Sequence, residues 1–232
     1  MTTNQFKQEY LGKFVDDINQ FFPDELIKRC MVEKKGQELL KDKEFYLGVD
    51  VARMGGDESV FEVLERLNTD KLKHVMHQAM TKIYLTETTN HILKLDTKHN
   101  FRKIYIDDGG LGVGVFDYIL ENRQTKKKVV AINNAFRVIE YDSWRTASRR
   151  KKLLKVDLYN NLLSLMEKGQ ITIIKDDSVF LSFKSIQYEH FTEGTLAGTL
   201  KIYGEYAHIV EGLIRAAWCV KDKSLKLSIS YW

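Results

Sequence analysis

Proline is almost missing from this 232-residue chain, with Pro23 the single instance, and cysteine is scarce, with only Cys30 and Cys219. Two cysteines so far apart form neither a disulfide framework nor the paired spacing of a zinc site, so both are expected to be reduced. No stretch approaches the roughly 18 consecutive apolar residues of a membrane span, and the opening MTTNQFKQEY lacks the apolar core of a secretion signal. A soluble, intracellular protein with no membrane partner is expected. A strong charge of one sign is also missing, because 36 basic residues stand against 32 acidic ones for a formal net charge of +4. Nor is there a Gly-x-x-x-x-Gly-Lys-Ser/Thr loop: Gly109 to Gly114 lacks the lysine and follows the acidic pair Asp107 and Asp108, which is unsuited to cradling phosphates.

What is present is enough apolar material for one substantial domain: 44% of the residues are hydrophobic and 29% charged, which argues against disorder. The charges are segregated. Basic residues gather at Lys126, Lys127 and Lys128 and again from Arg145 through Arg149, Arg150, Lys151, Lys152 and Lys155; carboxylates gather from Asp50 to Glu65 and at Asp107 and Asp108. Such a separation suits phosphate contacts around an acidic centre, although a run of lysines is often only a solvated face.

The run EFYLGVDV, Glu44 to Val51, is apolar, ends in an acid and predicts a central strand. The Gly- and Asp-rich turn ARMGGDES follows, and then two candidate strands, Ser59–Leu67 and Lys73–Tyr84, joined so tightly that they must be antiparallel. Thr86–His99 reads as a helix capped at Thr86 or Thr88, Arg102–Asp107 as a strand, GGLGVGVFDYILEN as a glycine turn into a helix, and Val129–Ile132 as a strand. This alternation marks the parallel part of a sheet. Leucines at helical spacing predict a helix from Thr146 to Lys168 with Gly169 as its C-terminal cap. Ile171–Ile174 reads as a strand, Asp177–Ile186 as a helix or an edge strand, Thr195–Tyr203 as the second arm of a hairpin, and Tyr206–Val220 as an amphipathic helix. Residues 1–43 precede the first core strand and are helical in pattern. They are expected to be a linker or a remnant of a preceding domain, with the main domain at 44–232.

Two of these strands end in carboxylates, Asp50 and Asp107, and the carboxyl ends of neighbouring strands are where ligands collect in an α/β sheet. An Asp in that position often serves only as a turn former or a cap. Two carboxylates brought together, however, repel unless a positive charge lies between them. Magnesium and manganese favour carboxylate and water oxygen, and two such ions can activate a water and stabilise the leaving oxygen in phosphodiester hydrolysis. Asp57 lies across the flexible turn from Asp50. On the last helix His208 and Glu211 fall on one face near its amino end, where they could complete a site or serve merely as capping and dipole-favoured residues.

Three segments, GVDVARMGGDES, IYIDDGGLGVGVFDYI and LKIYGEYAHIVEGLIRAAW, resemble the nuclease domain of viral large terminases, over about residues 44–220. The opening FKQEYLGKFVDD resembles the tail of that family's ATPase domain. The resemblance implies a ribonuclease H-like α/β fold: an antiparallel meander followed by parallel strands, flanked by helices, with an extra β-hairpin before the last helix. It implies an endonuclease that cuts concatemeric double-stranded viral DNA in the host cytoplasm with two Mg²⁺ or Mn²⁺ ions. The ATPase domain, the small terminase subunit and the portal would be its partners. Asp50 and Asp107 match the metal-bridging acids and Asp57 an auxiliary acid. The third acid falls on His208, with Glu211 at the later acidic position, so either can be the remaining ligand. Arg149, Arg150, Lys151, Lys152, Lys155, Lys184 and Lys201 would hold the DNA backbone, giving affinity without sequence information. Three alternatives remain: a catalytically weak DNA-binding or regulatory module of the same fold, a Holliday-junction-resolvase-like nuclease, and a sugar-kinase or actin-like ATPase, against which the missing second phosphate loop argues.

Overall fold

Alternate residues of the strand Phe45–Asp50 (β3) serve two different cores. Phe45, Leu47 and Val49 belong to one apolar cluster, together with Phe61, Ile104 and Ile106. Tyr46 belongs to the other, with Val60 and Tyr105. A strand apolar on both faces is a central strand, and this one lies in the middle of a seven-stranded sheet. The computed structural model describes residues 20–36, 39, 42–52, 58–107, 112–132, 154–189 and 200–222, and the backbone alone at 19, 137–141, 149–153 and 190.

In chain order the strands are β1 (Asn19–Gln20), β2 (Met31–Glu33), β3, β4 (Glu58–Arg66), β5 (Leu72–Thr81), β6 (Lys103–Ile106), β7 (Val129–Ala131), β8 (Arg137–Tyr141), β9 (Arg149–Leu153), β10 (Ile171–Ile174), β11 (Gln187–His190) and β12 (Leu200–Tyr203). The helices are α1 (Asp24–Cys30), α2 (Leu85–His99), α3 (Gly112–Glu121), α4 (Leu154–Glu167), α5 (Asp177–Ser185) and α6 (His208–Ala216), the last running into a 3₁₀ turn at Ala217–Val220. The main sheet has the order β2-β10-β5-β4-β3-β6-β7. Its centre, β3-β4-β5, is an antiparallel meander, and the outer pairs are parallel. α2 and α3 cover one face, and α1, α4, α5 and α6 cover the other. The expected mixed sheet with flanking helices is the observed fold, and β11–β12 is the antiparallel hairpin ahead of the last helix.

Three sequence expectations need adjustment. The sequence pattern assigns residues 1–43 to a linker or remnant, yet β2 extends the main sheet beside β10 and β1 pairs with β11. Phe22 and Ile27 are fully buried there, with the Phe22 ring packed edge-on against Phe183 of α5 at 5.0 Å. The helix expected from Thr146 begins at Leu154, since Arg149–Leu153 is instead a strand paired with Arg137–Tyr141. Helical spacing of leucines is silent about the basic run before them. α2 starts one residue earlier than Thr86, and neither threonine expected as a cap is one. The Glu87 carboxylate accepts from Tyr84 N–H at 2.7 Å, while the Thr88 hydroxyl lies inside the helix and donates to the Tyr84 carbonyl at 3.3 Å. Asp177–Ile186, ambiguous in sequence between helix and edge strand, forms the helix α5, capped by the Asp176 carboxylate accepting from Ser178 N–H. Gly169 ends α4 with a left-handed φ of +64°, as its place in the sequence predicts.

One contact sets the height of α6 above the sheet. A Cβ on Gly48 would lie 2.1 Å from the Gly212 carbonyl oxygen, and one on Gly212 would lie 2.8 Å from Glu62 Cγ. Only two glycines allow helix and strand to approach so closely. The same face of the sheet carries a buried carboxylate, Glu62, held between His74 at 2.8 Å and His77 at 2.6 Å; burial of this charge is tolerable because both oxygens are paired.

Candidate active site

Strand parity and register bring the two strand-end acids together. Gly48 and Tyr46 face α6, so Asp50, two residues further along β3, faces it too. On β6, Tyr105 faces the same side and Asp107 follows at the same parity. β3 and β6 are parallel with Val49 opposite Ile106, so the next residue of each strand is one of the acids. Gly112 at the start of α3 helps to fix Asp107: a Cβ there would fall 1.6 Å from the Asp107 carbonyl oxygen.

α6 lowers three polar side chains onto these acids. His208 Nδ1 lies 2.9 Å from Asp50 Oδ2. Arg215 donates from Nη2 to Asp107 Oδ2 at 2.6 Å, and its Nη1 lies 3.1 Å from Glu211 Oε2 and 3.4 Å from Asp50 Oδ1. Asp50 and Asp107 therefore do share one cation, and it is a guanidinium. Glu211 is held further by the Tyr159 hydroxyl, donating at 2.8 Å, and by Lys155 Nζ at 3.1 Å. Burial opposes its charge, but Arg215, Lys155 and the Tyr159 hydroxyl overcome that opposition and hold the carboxyl well below the usual range. Arg215 is fully buried, and although burial pulls its affinity for the proton down, Asp50, Glu211 and Asp107 raise it further. A guanidinium so placed is permanently charged.

The sequence-predicted residues divide into three groups. Asp50, Asp107, His208 and Glu211 converge on one spot. Asp57 lies outside the described residues. Of the residues expected to hold DNA, Lys155 belongs to the acidic site, as the partner of Glu211 and 5.6 Å above the Tyr159 ring. Lys184 stands apart on α5, 3.5 Å from Asp24, and Lys201 lies over Tyr203 on β12. Arg149, Arg150, Lys151 and Lys152 form β9, whose chain passes directly into the first turn of α4 and so to Lys155; their side chains lie outside the described residues. Sequence reasoning missed Arg215 and Tyr159. Arg215 had a signal, since it falls four residues after Glu211 on the same helical face. Tyr159 had none.

The donors present suit a hard divalent cation. Carboxylate oxygens at the mouth of a sheet, with no cysteine near, favour magnesium or manganese. Among the described residues no three acidic, His or Cys side chains form a ready metal cage. Magnesium does not require one, because it is usually held by one or two carboxylates, with water and substrate phosphate as its other ligands. Asp50 and Asp107 match that pattern for one ion. A second ion would have to share Asp107 and Glu211 with Arg215. Two cavities lie elsewhere, one of about 550 Å³ beside Lys28 and Lys175 and one along α2. Neither touches the acids, as an open site for a polymer does not require an enclosed pocket.

No protein-family model and no curated protein matches the sequence. Solved structures do. The large terminase nuclease of thermophilic phage G20c, with bound magnesium, matches with a TM-score of 0.63 and 18% identity, over 87% of this chain and 97% of that one. The large terminase nuclease domain of Thermus phage P74-26 matches with a TM-score of 0.59 and 16% identity, over 86% and 93%. The large terminase of bacteriophage HK97 matches with a TM-score of 0.56 and 10% identity, over 94% of this chain but 46% of that one. At such identities the likeness is one of backbone architecture. The chain has the fold of the nuclease domain of phage large terminases.

Proposed function

We propose that the protein is a divalent-cation-dependent endonuclease that hydrolyses phosphodiester bonds of double-stranded DNA, and that Asp50 and Asp107 are its metal-holding carboxylates. The observation that carries this reading is the convergence of both strand-end acids on one cationic group at the mouth of the sheet. Magnesium or manganese held there would activate a water and stabilise the developing charge at the scissile phosphate. The protein's own groups do the rest. His208, bonded to Asp50, fixes that carboxylate and can carry a proton at the imidazole. Arg215, itself buried, donates to Asp107 and orients its carboxylate. The β8–β9 ribbon, which carries Arg149 to Lys152 and leads into the site through α4, would lie along the phosphate backbone, where such contacts confer affinity without sequence preference.

On this reading the substrate is concatemeric viral DNA in the host cytoplasm. An ATPase domain, a small terminase subunit and a portal would be the working partners on this reading; the chain spans 46% of the length of the HK97 large terminase. No helix among the described residues is long and apolar enough to cross a membrane.

The test is plasmid cleavage in Mg²⁺ or Mn²⁺. Asp50→Asn and Asp107→Asn are each expected to lower the rate by about 100-fold or more, since each removes a charge that holds the ion, while circular dichroism shows the fold retained. Full activity in either variant overturns the reading. A second reading, a DNA-binding module of the same fold with little catalysis, draws on Arg215 standing between the acids. It predicts salt-dependent DNA binding, no metal-stimulated cleavage, and indifference to Asp107→Asn.

A further inference from the structure

Arg215 is the largest of the fully buried side chains, and a buried guanidinium is tolerable only where carboxylates surround it. Its Nη1 and Nη2 are engaged by Glu211, Asp50 and Asp107, while its Nε has no hydrogen-bond partner among the described residues. The carboxylates therefore set its orientation. It grips them unequally: Asp107 at 2.6 Å, Glu211 at 3.1 Å and Asp50 at 3.4 Å. Asp50 is the carboxylate it holds least.

We infer that Arg215 takes the place of a second metal ion, so that the site admits one divalent cation, at Asp50 and Asp107, and Glu211 anchors Arg215 instead of ligating metal. The inference rests on the nuclease reading and deepens it. The balance of charge supports it. The three carboxylates Asp50, Asp107 and Glu211 face two basic side chains, Arg215 and Lys155, an excess of one acidic group. One divalent ion and one phosphodiester bring this cluster to neutrality, whereas two ions would leave it with a surplus of positive charge in a partly buried site. The guanidinium cannot yield its place by losing a proton, and it is tied to its own helix through the Glu211 carbonyl, 2.6 Å from Nη1. Its separation from Glu211 by one helical turn makes the arrangement intrinsic to α6 rather than a chance encounter of distant side chains.

The experiment is Mn²⁺ titration of the wild-type chain without DNA, read by electron paramagnetic resonance and by equilibrium dialysis. One Mn²⁺ per chain with a mononuclear spectrum is expected, and the bound ion should be lost in Asp50→Asn. In Arg215→Met, Asp107 and Glu211 lose their cation and are expected to take a second Mn²⁺, giving two per chain and an exchange-coupled spectrum. If that variant fails to fold, Arg215→Lys, which keeps the charge, and the wild type decide the question, each expected to bind one. Two coupled ions in the wild type overturn the assignment of Arg215 but leave the nuclease reading standing. One ion in a folded Arg215→Met also overturns it. No bound Mn²⁺ in the wild type sinks the inference and the nuclease reading together.

Discussion

His208 and Glu211 look equivalent in sequence, as two polar residues on the opening turn of one helix, but their surroundings differ sharply. The His208 side chain is 34% exposed and touches Asp50, whereas that of Glu211 is 8% exposed and ties together Arg215, Lys155 and Tyr159. Replacing them should therefore have different consequences. Glu211→Ala leaves a buried guanidinium without its nearest helical partner and is expected to destabilise the fold by about 3–5 kcal/mol. His208→Ala breaks a half-exposed contact and is expected to cost about 1 kcal/mol or less, while still lowering cleavage. Urea denaturation of both variants checks this, and equal losses of stability would show that Glu211 is not the keystone of the buried network.

Among secondary elements, the decisive contact is that of α6 with β3. The helix can place His208, Glu211 and Arg215 over the strand ends only because Gly48 and Gly212 let it lie against the sheet. Gly48→Ala would drive a methyl group into the Gly212 carbonyl, and overpacking of this kind costs about 1–3 kcal/mol. The backbone nature of the obstacle places the expected loss at the upper end. Because α6 must rise to relieve it, cleavage should fall further than stability alone explains. A variant with wild-type thermal midpoint and activity would show that the helix does not need this approach. Most elements were legible from periodicity and turn residues: the apolar run of β3, the meander of β4 and β5, and the amphipathic face of α6. The β8–β9 ribbon was not, because Arg149 to Lys152 carry no apolar alternation and strand formation there depends on a partner chain segment rather than on local burial.

For the molecule as a whole, the acidic centre receives Lys155 and Tyr159 from α4, and β9, whose sequence is basic, runs directly into that helix. If the β8–β9 ribbon tracks the phosphate backbone, replacing Arg149, Arg150, Lys151 and Lys152 together by Ala should flatten the dependence of DNA affinity on salt. The slope of log K against log salt should fall by about 2–4, one unit or slightly less for each phosphate that is no longer neutralised. Fluorescence anisotropy across a salt series measures it, and an unchanged slope would place the DNA elsewhere. The sequence by itself determined which residues end the central strands in acid and which helix closes the fold, whereas the placing of Asp50 and Asp107 on one face rests on the register of β3 against β6. The first two properties follow from local periodicity, which is written residue by residue. What occupies the space between the acids was decided only by tertiary structure. Arg215 reaches Asp107 across 108 positions of chain, and Tyr159 reaches Glu211 across 52. No local rule says which buried charge will meet which, since that depends on how closely one helix settles onto one sheet.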